Sequence, residues 1–365
     1  MGRYIRMEYY NWQKTFSYDA LVNLIITARD RGKTFGIRYA ALNDAVNDGY
    51  RFVEIARAKE ELSSIMRGYF DKLVLVNPEK FAKYEFRTEA NAAYMREIFK
   101  DNETGEIKPV GKWQQIGYFV ALSQQQQAKK WTFANVKKII FDEAIMDKTD
   151  RFHRYMPDEW YLLSNLVDSI TREQAADKTI ARVYLLGNAC DAVNPYFQHF
   201  KIYSKPEYGY HWYGDKLMLL HYEKPPIQSQ ARKDSTLAGR MLASSQHGTA
   251  MLENVFNDVT DDFIAQRPKG SEFQFGVAYN DTIYAIWLNL EYGYYYIDTK
   301  LPKNTGKSPI WALTTRDNRT NYIVAQRSNA ALHALGEAEQ QGLVRYATFA
   351  VRETFLDVLT WFGIR

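Results

Sequence analysis

The chain has 365 residues, 46% of them hydrophobic and 25% charged, a globular balance with enough length for two domains. No apolar run approaches the ~20 residues that cross a bilayer, no apolar leader with a small-residue cleavage site follows Met1, and the single cysteine, Cys190, cannot form an internal disulfide. These features exclude a membrane-spanning protein and read as an intracellular protein without a structural zinc, and the net charge of +4 marks no strongly basic domain.

In chain order, residues 21–26 form an apolar run too short for a helix and read as a buried strand. It leads into Thr27-Ala28-Arg29-Asp30-Arg31-Gly32-Lys33-Thr34, after which Phe35, Ile37, Arg38, Tyr39, Ala41, Leu42 and Val46 fit a helix closing at Asn47-Asp48-Gly49. Further strands are predicted at 52–56, 117–122, 138–141 and 181–186, with a helix over 157–173 between the last two. Strands alternating with helices argue for a mainly parallel α/β sheet. Residues 206–245 mix one apolar segment with prolines and polar clusters. They read as a connecting subdomain between an N-terminal domain, 1–205, and a C-terminal domain, 246–365. In the latter, strands are predicted at 272–279, 282–290, 293–299 and 310–315, and a helix at 347–362. A loop segment there carries Lys300, Lys303, Lys307, Arg316, Arg319 and Arg327 against Asp317 alone, a patch suited to phosphate contacts or to plain solvation.

The segment from Thr27 to Thr34 is a GxxxxGKT phosphate loop in which Thr27 replaces the first glycine. Gly32 permits the tight turn, and the backbone N–H groups of Ala28, Arg29, Asp30, Arg31 and Gly32 surround phosphate oxygens. Lys33 sets a cation on the β and γ phosphates, and the Thr34 hydroxyl ligates Mg2+. ATP and Mg2+ are therefore the implied cofactors. A hydrolase needs two acids as well. Asp142 as the metal-side acid and Glu143 as the general base follow the strand at 138–141, expected to adjoin that of the phosphate loop. Asn188 ends another strand in an amide fit to sense the γ phosphate or the attacking water, although asparagine there is also an ordinary turn residue.

Longer stretches carry a specific resemblance. Tyr10-Asn11-Trp12-Gln13-Lys14 with Phe16-Ser17-Tyr18-Asp19, Ala28-Arg29 and Gly32-Lys33-Thr34, Phe141-Asp142-Glu143 and Asn165-Leu166-Val167-Asp168 leading to Arg172 belong to it. So do Asn188-Ala189, Val193-Asn194-Pro195-Tyr196-Phe197, Tyr279-Asn280, Tyr296-Ile297-Asp298-Thr299 and Leu313-Thr314-Thr315. With these the chain resembles, over nearly its whole length, the DNA-packaging motor ATPases (encapsidation proteins) of phi29-type podoviruses, a terminase-like family.

The resemblance implies an N-terminal P-loop ATPase domain of the ASCE/RecA-like kind and a C-terminal α+β ribonuclease-H-like domain without nuclease activity. It implies five copies in a homopentameric ring at the portal vertex of an empty capsid in the host cytoplasm, driving in double-stranded DNA, with a structural packaging RNA as a further partner of some members. By match to the family, Arg172 is an arginine finger acting on the neighbouring subunit and Lys129 a second such cation. Lys59 and Arg57 form a basic pair at the nucleotide or in signalling between subunits, and Gln13 either reads the adenine edge through its side-chain amide or is a surface residue. Asp298 is read as structural rather than catalytic. The competing readings are a terminase that also cuts DNA, and a nucleotide-dependent switch or RNA-binding assembly factor.

Overall fold

The computed structural model describes residues 9–100, 106–146, 155–156, 158–172, 174, 180–192, 194–202, 205–225, 236–244, 253–256 and 263–361. Two compact units emerge: Met1–Tyr196 with Pro206–Asn257, and Phe197–Lys205 with Asp258–Arg365.

As far as Ala243 the helices are α1 (Trp12–Ser17), α2 (Lys33–Asp48), α3 (Lys59–Met66), α4 (Asp71–Val76), α5 (Pro78–Phe81), α6 (Gln125–Ala128), α7 (Glu159–Thr171), α8 (Pro195–His199) and α9 (Leu237–Ala243). The strands are β1 (Val22–Ile26), β2 (Arg51–Ala56), β3 (Tyr84–Glu89), β4 (Ala92–Lys100), β5 (Ile107–Pro109), β6 (Gln114–Ala121), β7 (Val136–Ile145), β8 (Arg182–Gly187), β9 (Gly209–Tyr213) and β10 (Met218–Tyr222). They form one sheet in the order β3-β4-β6-β2-β7-β8-β1-β10-β9, with β5 on β4. The inner strands from β6 to β10 run parallel, and antiparallel hairpin partners close both edges. Every residue of β1 is buried, as its unbroken apolar run requires of a strand covered on both faces. Helix α2 lays Ile37, Ala41, Leu42 and Ala45 on this sheet against Ile25, Phe52 and Ile140. It stops at Gly49, whose left-handed φ of 69° lets its N–H reach the carbonyls of Asp44 and Ala45.

Three differences from the sequence reading have physical causes. Strand β7 does not adjoin β1, because β8 lies between them. The segment 209–222 is not part of a separate connector: β10 pairs in parallel with β1 over Val22 to Ile26, and β9 folds back on β10. The apolar residues Met218, Leu219 and Leu220 thereby cover an edge that β1 would otherwise leave unpaired. Strands β3 and β4 escaped notice because β3 is half-buried or exposed along its length and shows no clean apolar alternation.

The second unit holds β11 (Glu272–Tyr279), β12 (Thr282–Asn289), β13 (Tyr294–Asp298), β14 (Ile310–Ala312), β15 (Ile323–Val324), α10 (Ala330–Gln340), β16 (Val344–Tyr346) and α11 (Phe349–Trp361). Its sheet order is β15-β14-β11-β12-β13-β16, an antiparallel meander extended by parallel strands on both sides. Leu332 and Leu335 of α10 and Phe355 and Leu359 of α11 pack on it with Val277, Ile286 and Ile297. Asp298 is buried, accepting from Trp287 Nε1 at 3.1 Å and the Lys300 amide at 3.0 Å, with Arg267 at 3.5 Å. It braces the sheet. No described helix is long and apolar enough to cross a membrane.

Candidate nucleotide site

The phosphate loop takes its shape from two left-handed residues, Asp30 (φ 62°) and Gly32 (φ 69°). Alternation of this kind turns successive N–H groups toward one concavity, a nest for anions. Gly32 is the N-cap of α2, no side chain caps that helix and its first turn holds no acid, so its N-terminal amides and dipole face the concavity. Thr27 is fully buried, keeps a negative φ and turns its hydroxyl to the Ala28 carbonyl at 2.9 Å, so the missing glycine leaves the loop intact. The loop is braced from outside. Arg31 makes a two-pronged bridge to Glu223, just past β10, at 2.8 and 2.9 Å, while its carbonyl accepts from the Tyr10 amide. Only the backbone of Arg31 is thus left to a phosphate. The ring of Tyr9 stands over Gly32, where an added Cβ would lie 2.7 Å from its Cδ1.

The acids sit in a bulge. Pairing of β7 with β8 runs from Lys138 to Phe141 and resumes only at Ile145 opposite Gly187, so Asp142, Glu143 and Ala144 face Leu186 alone. Glu143 has φ 53°, a strained value for a side chain of this size. Such bulges re-aim side chains beside active sites. Between bulge and loop, Lys33 Nζ donates to Asn188 Oδ1 at 2.6 Å. Burial lowers the pKa of Lys33, and the Asp142 carboxylate opposes that shift.

A cleft of about 1170 Å³ gathers Arg29, Lys33, Thr34, Asp142, Glu143 and Asn188, together with Arg38, Arg57 and Cys190. Thr34 and Asp142 offer hard oxygen donors, a set that suits Mg2+. Several participants carried no sequence motif. Arg38, one turn beyond Thr34 on α2, pairs with the fully buried Glu54 of β2, which also accepts from Tyr69 at 3.1 Å. Burial raises the Glu54 pKa and Arg38 opposes this. A lone acid within the apolar run Phe52-Val53-Glu54-Ile55-Ala56 was the available signal. Arg57 faces the cleft but does not reach toward a nucleotide: its guanidinium is engaged by Glu159 and by carbonyls of the bulge. Gln13, Lys59, Lys129 and Arg172 are exposed and line no part of the cleft.

A parallel sheet in which one strand separates the phosphate-loop strand from the strand of paired acids, with Lys33, Thr34, Asp142, Glu143 and Asn188 around one cleft, defines a P-loop ATPase fold. The family of podovirus DNA encapsidation proteins (Gp16) matches residues 5–361, and the chain belongs to this family. It is 29% identical over 346 residues to the DNA packaging protein of Bacillus phage phi29, covering 94% of this chain and 95% of the relative. The counterpart in Bacillus phage B103 is 26% identical over 332 residues, covering 90% and 94%. Among solved structures, the phi29 genome packaging motor assembly superposes with a TM-score of 0.70 at 24% identity, over 97% of this chain and 99% of that one. The phi28 gp11 DNA packaging motor gives 0.61 at 18% identity, over 98% of each chain.

Proposed function

We propose that the chain hydrolyses ATP to drive double-stranded viral DNA into a preformed capsid, as one subunit of a ring docked at the portal. The observation that carries this reading is the separation of parts. Lys33, Thr34, Asp142, Glu143 and Asn188 line one cleft, whereas Arg172 does not. Arg172 follows the last residue of α7, thirteen residues beyond Glu159. At about 1.5 Å per residue that is roughly 20 Å from the helix start beside the bulge. That placement supports a finger that serves a neighbour's cleft rather than its own, an arrangement a head-to-tail ring would provide. Five subunits and a packaging RNA belong to this reading by family resemblance.

Within the cleft, loop amides and Lys33 hold the triphosphate. Thr34 and Asp142 would hold Mg2+, which supplies charge neutralisation on the phosphate oxygens. Glu143 orients and deprotonates the attacking water, Asn188 senses the terminal phosphate, and Arg172 of the next subunit stabilises transition-state charge. Lys129 and Lys59, both exposed, are further candidates for contacts across the same interface.

Mixing two inactive variants tests the scheme. Arg172→Ala keeps its own cleft and Glu143→Gln keeps its finger, so mixed rings regain ATPase activity. Fingers are worth roughly 10³ to 10⁵ in rate, so even a minority of repaired interfaces rises above background. Continued inactivity in rings shown to have formed overturns the trans assignment.

A further inference from the structure

We infer that Arg57 is a positioning residue that couples the bulge carrying Glu143 to the helix carrying Arg172, so that each subunit's own site sets the finger it lends to the next. The inference rests on the reading of Arg172 as a trans-acting finger. Arg57 follows β2, and its guanidinium grips two segments at once. Nε and Nη2 donate to the two oxygens of Glu159 at 2.7 and 2.8 Å, while Nη2 and Nη1 donate to the carbonyls of Ala144 and Glu143 at 3.0 and 3.3 Å. The bulge takes those residues out of register with β8, and Arg57 serves carbonyls the ladder has released. Phe141 and Tyr155 pack their rings 5.0 and 5.6 Å from the guanidinium carbon.

Glu159, the other end of the tie, is fully buried and opens α7. It also accepts from the Tyr196 hydroxyl at 2.7 Å and the Met156 amide at 2.9 Å. Stability is a poor reason for this arrangement, because desolvation cancels much of the attraction within a buried ion pair. Rigidity is a better one. A guanidinium is planar and its fork fixed, so a change in the strained Glu143 backbone must either break these bonds or move Glu159. Glu159 is the first residue of an uninterrupted helix of 13 residues, and Arg172 follows its last. Displacement at one end of such a rod reaches the other, so α7 is the element through which the bulge and the finger are coupled.

The test compares two finger donors whose own clefts are silent. Glu143→Gln and the double variant Glu143→Gln/Arg57→Gln each keep Arg172, and each is mixed with Arg172→Ala subunits, whose clefts are intact. The first donor restores ATPase activity. The second restores at least tenfold less per ring shown to have formed, its lower melting temperature reflecting the Glu159 carboxylate left unpaired in the interior. Should Arg57→Gln impair folding, Glu143→Gln/Tyr196→Phe removes one hydroxyl from Glu159, keeps the ion pair, and is expected to reduce rescue about threefold. Equal rescue by Arg57-altered and Arg57-intact donors, or by the Tyr196→Phe donor where that one is used, overturns the coupling and leaves the finger assignment standing. No rescue by Glu143→Gln alone overturns the finger assignment, and the coupling with it.

Discussion

Replacing Asn188 by aspartate should turn the side chain that holds Lys33 into a competitor of ATP. In the present structure the amide oxygen accepts from Lys33 Nζ at 2.6 Å, and the lysine must share or leave this partner when a γ phosphate arrives. A carboxylate of the same shape converts the contact into an ion pair. Hydrogen bonds to charged groups contribute about 1.5–3 kcal/mol, and two unit charges about 4 Å apart interact by ~4 kcal/mol at an effective dielectric of ~20. The new carboxylate both retains Lys33 and repels the triphosphate. Taking the smaller of these figures, Asn188→Asp weakens ATP binding roughly 10- to 150-fold. Asn188→Ala is the contrast. It frees Lys33 without adding charge, so ground-state affinity stays within about threefold while turnover falls, because the strand end no longer offers an amide to the reacting groups. Titration with a fluorescent ATP analogue reads both. Wild-type affinity in Asn188→Asp, or equal losses in the two variants, would refute the placement of Lys33 between amide and phosphate.

Two further outcomes follow from other regions. His221 hydrogen-bonds Tyr10 at 2.7 Å through Nδ1 and stacks on Tyr210, and burial, with Lys14 and His211 nearby, lowers its pKa from 6.5 to about 4. The unfolded chain therefore binds a proton below pH 6.5 that the folded chain refuses until about pH 4, so stability falls as pH drops through that window. Screening of this partly exposed ring brings the loss to about 1–2 kcal/mol, which urea titrations at pH 7 and 5 would show in the wild type and not in His221→Gln. In the second unit, Lys300, Lys303 and Lys307 are exposed on one loop. If they meet DNA phosphates, changing all three to glutamine lowers the slope of log affinity against log salt by about 2–3 for duplex DNA, as read by fluorescence anisotropy, whereas an unchanged slope returns them to solvent.

The phosphate loop and its flanking strand and helix were legible because their signals are local. Gly32 and Gly49, both with φ 69°, bound α2, and the apolar run of β1 is wholly buried. Asp142 and Glu143 were likewise visible as paired acids after an apolar strand, and the strands β11 to β13 as successive runs separated by turn residues at Asn280-Asp281 and Glu291-Tyr292-Gly293. What the sequence did not contain was pairing over distance. That β8 stands between β1 and β7, and that β10 closes the outer edge of β1, depend on hydrogen bonds between strands far apart in the chain. The bulge at Asp142 to Ala144 has no residue signature, since it arises from the mismatch of β7 with β8. Arg31 and Arg57 show the same limit from the side chain's end. Both lie where a nucleotide contact is expected, yet Glu223, 192 positions on, holds one, and Glu159, 102 positions on, holds the other. A cation's type and place in a motif say that charge is present; only the folded chain decides which carboxylate lies close enough to claim it.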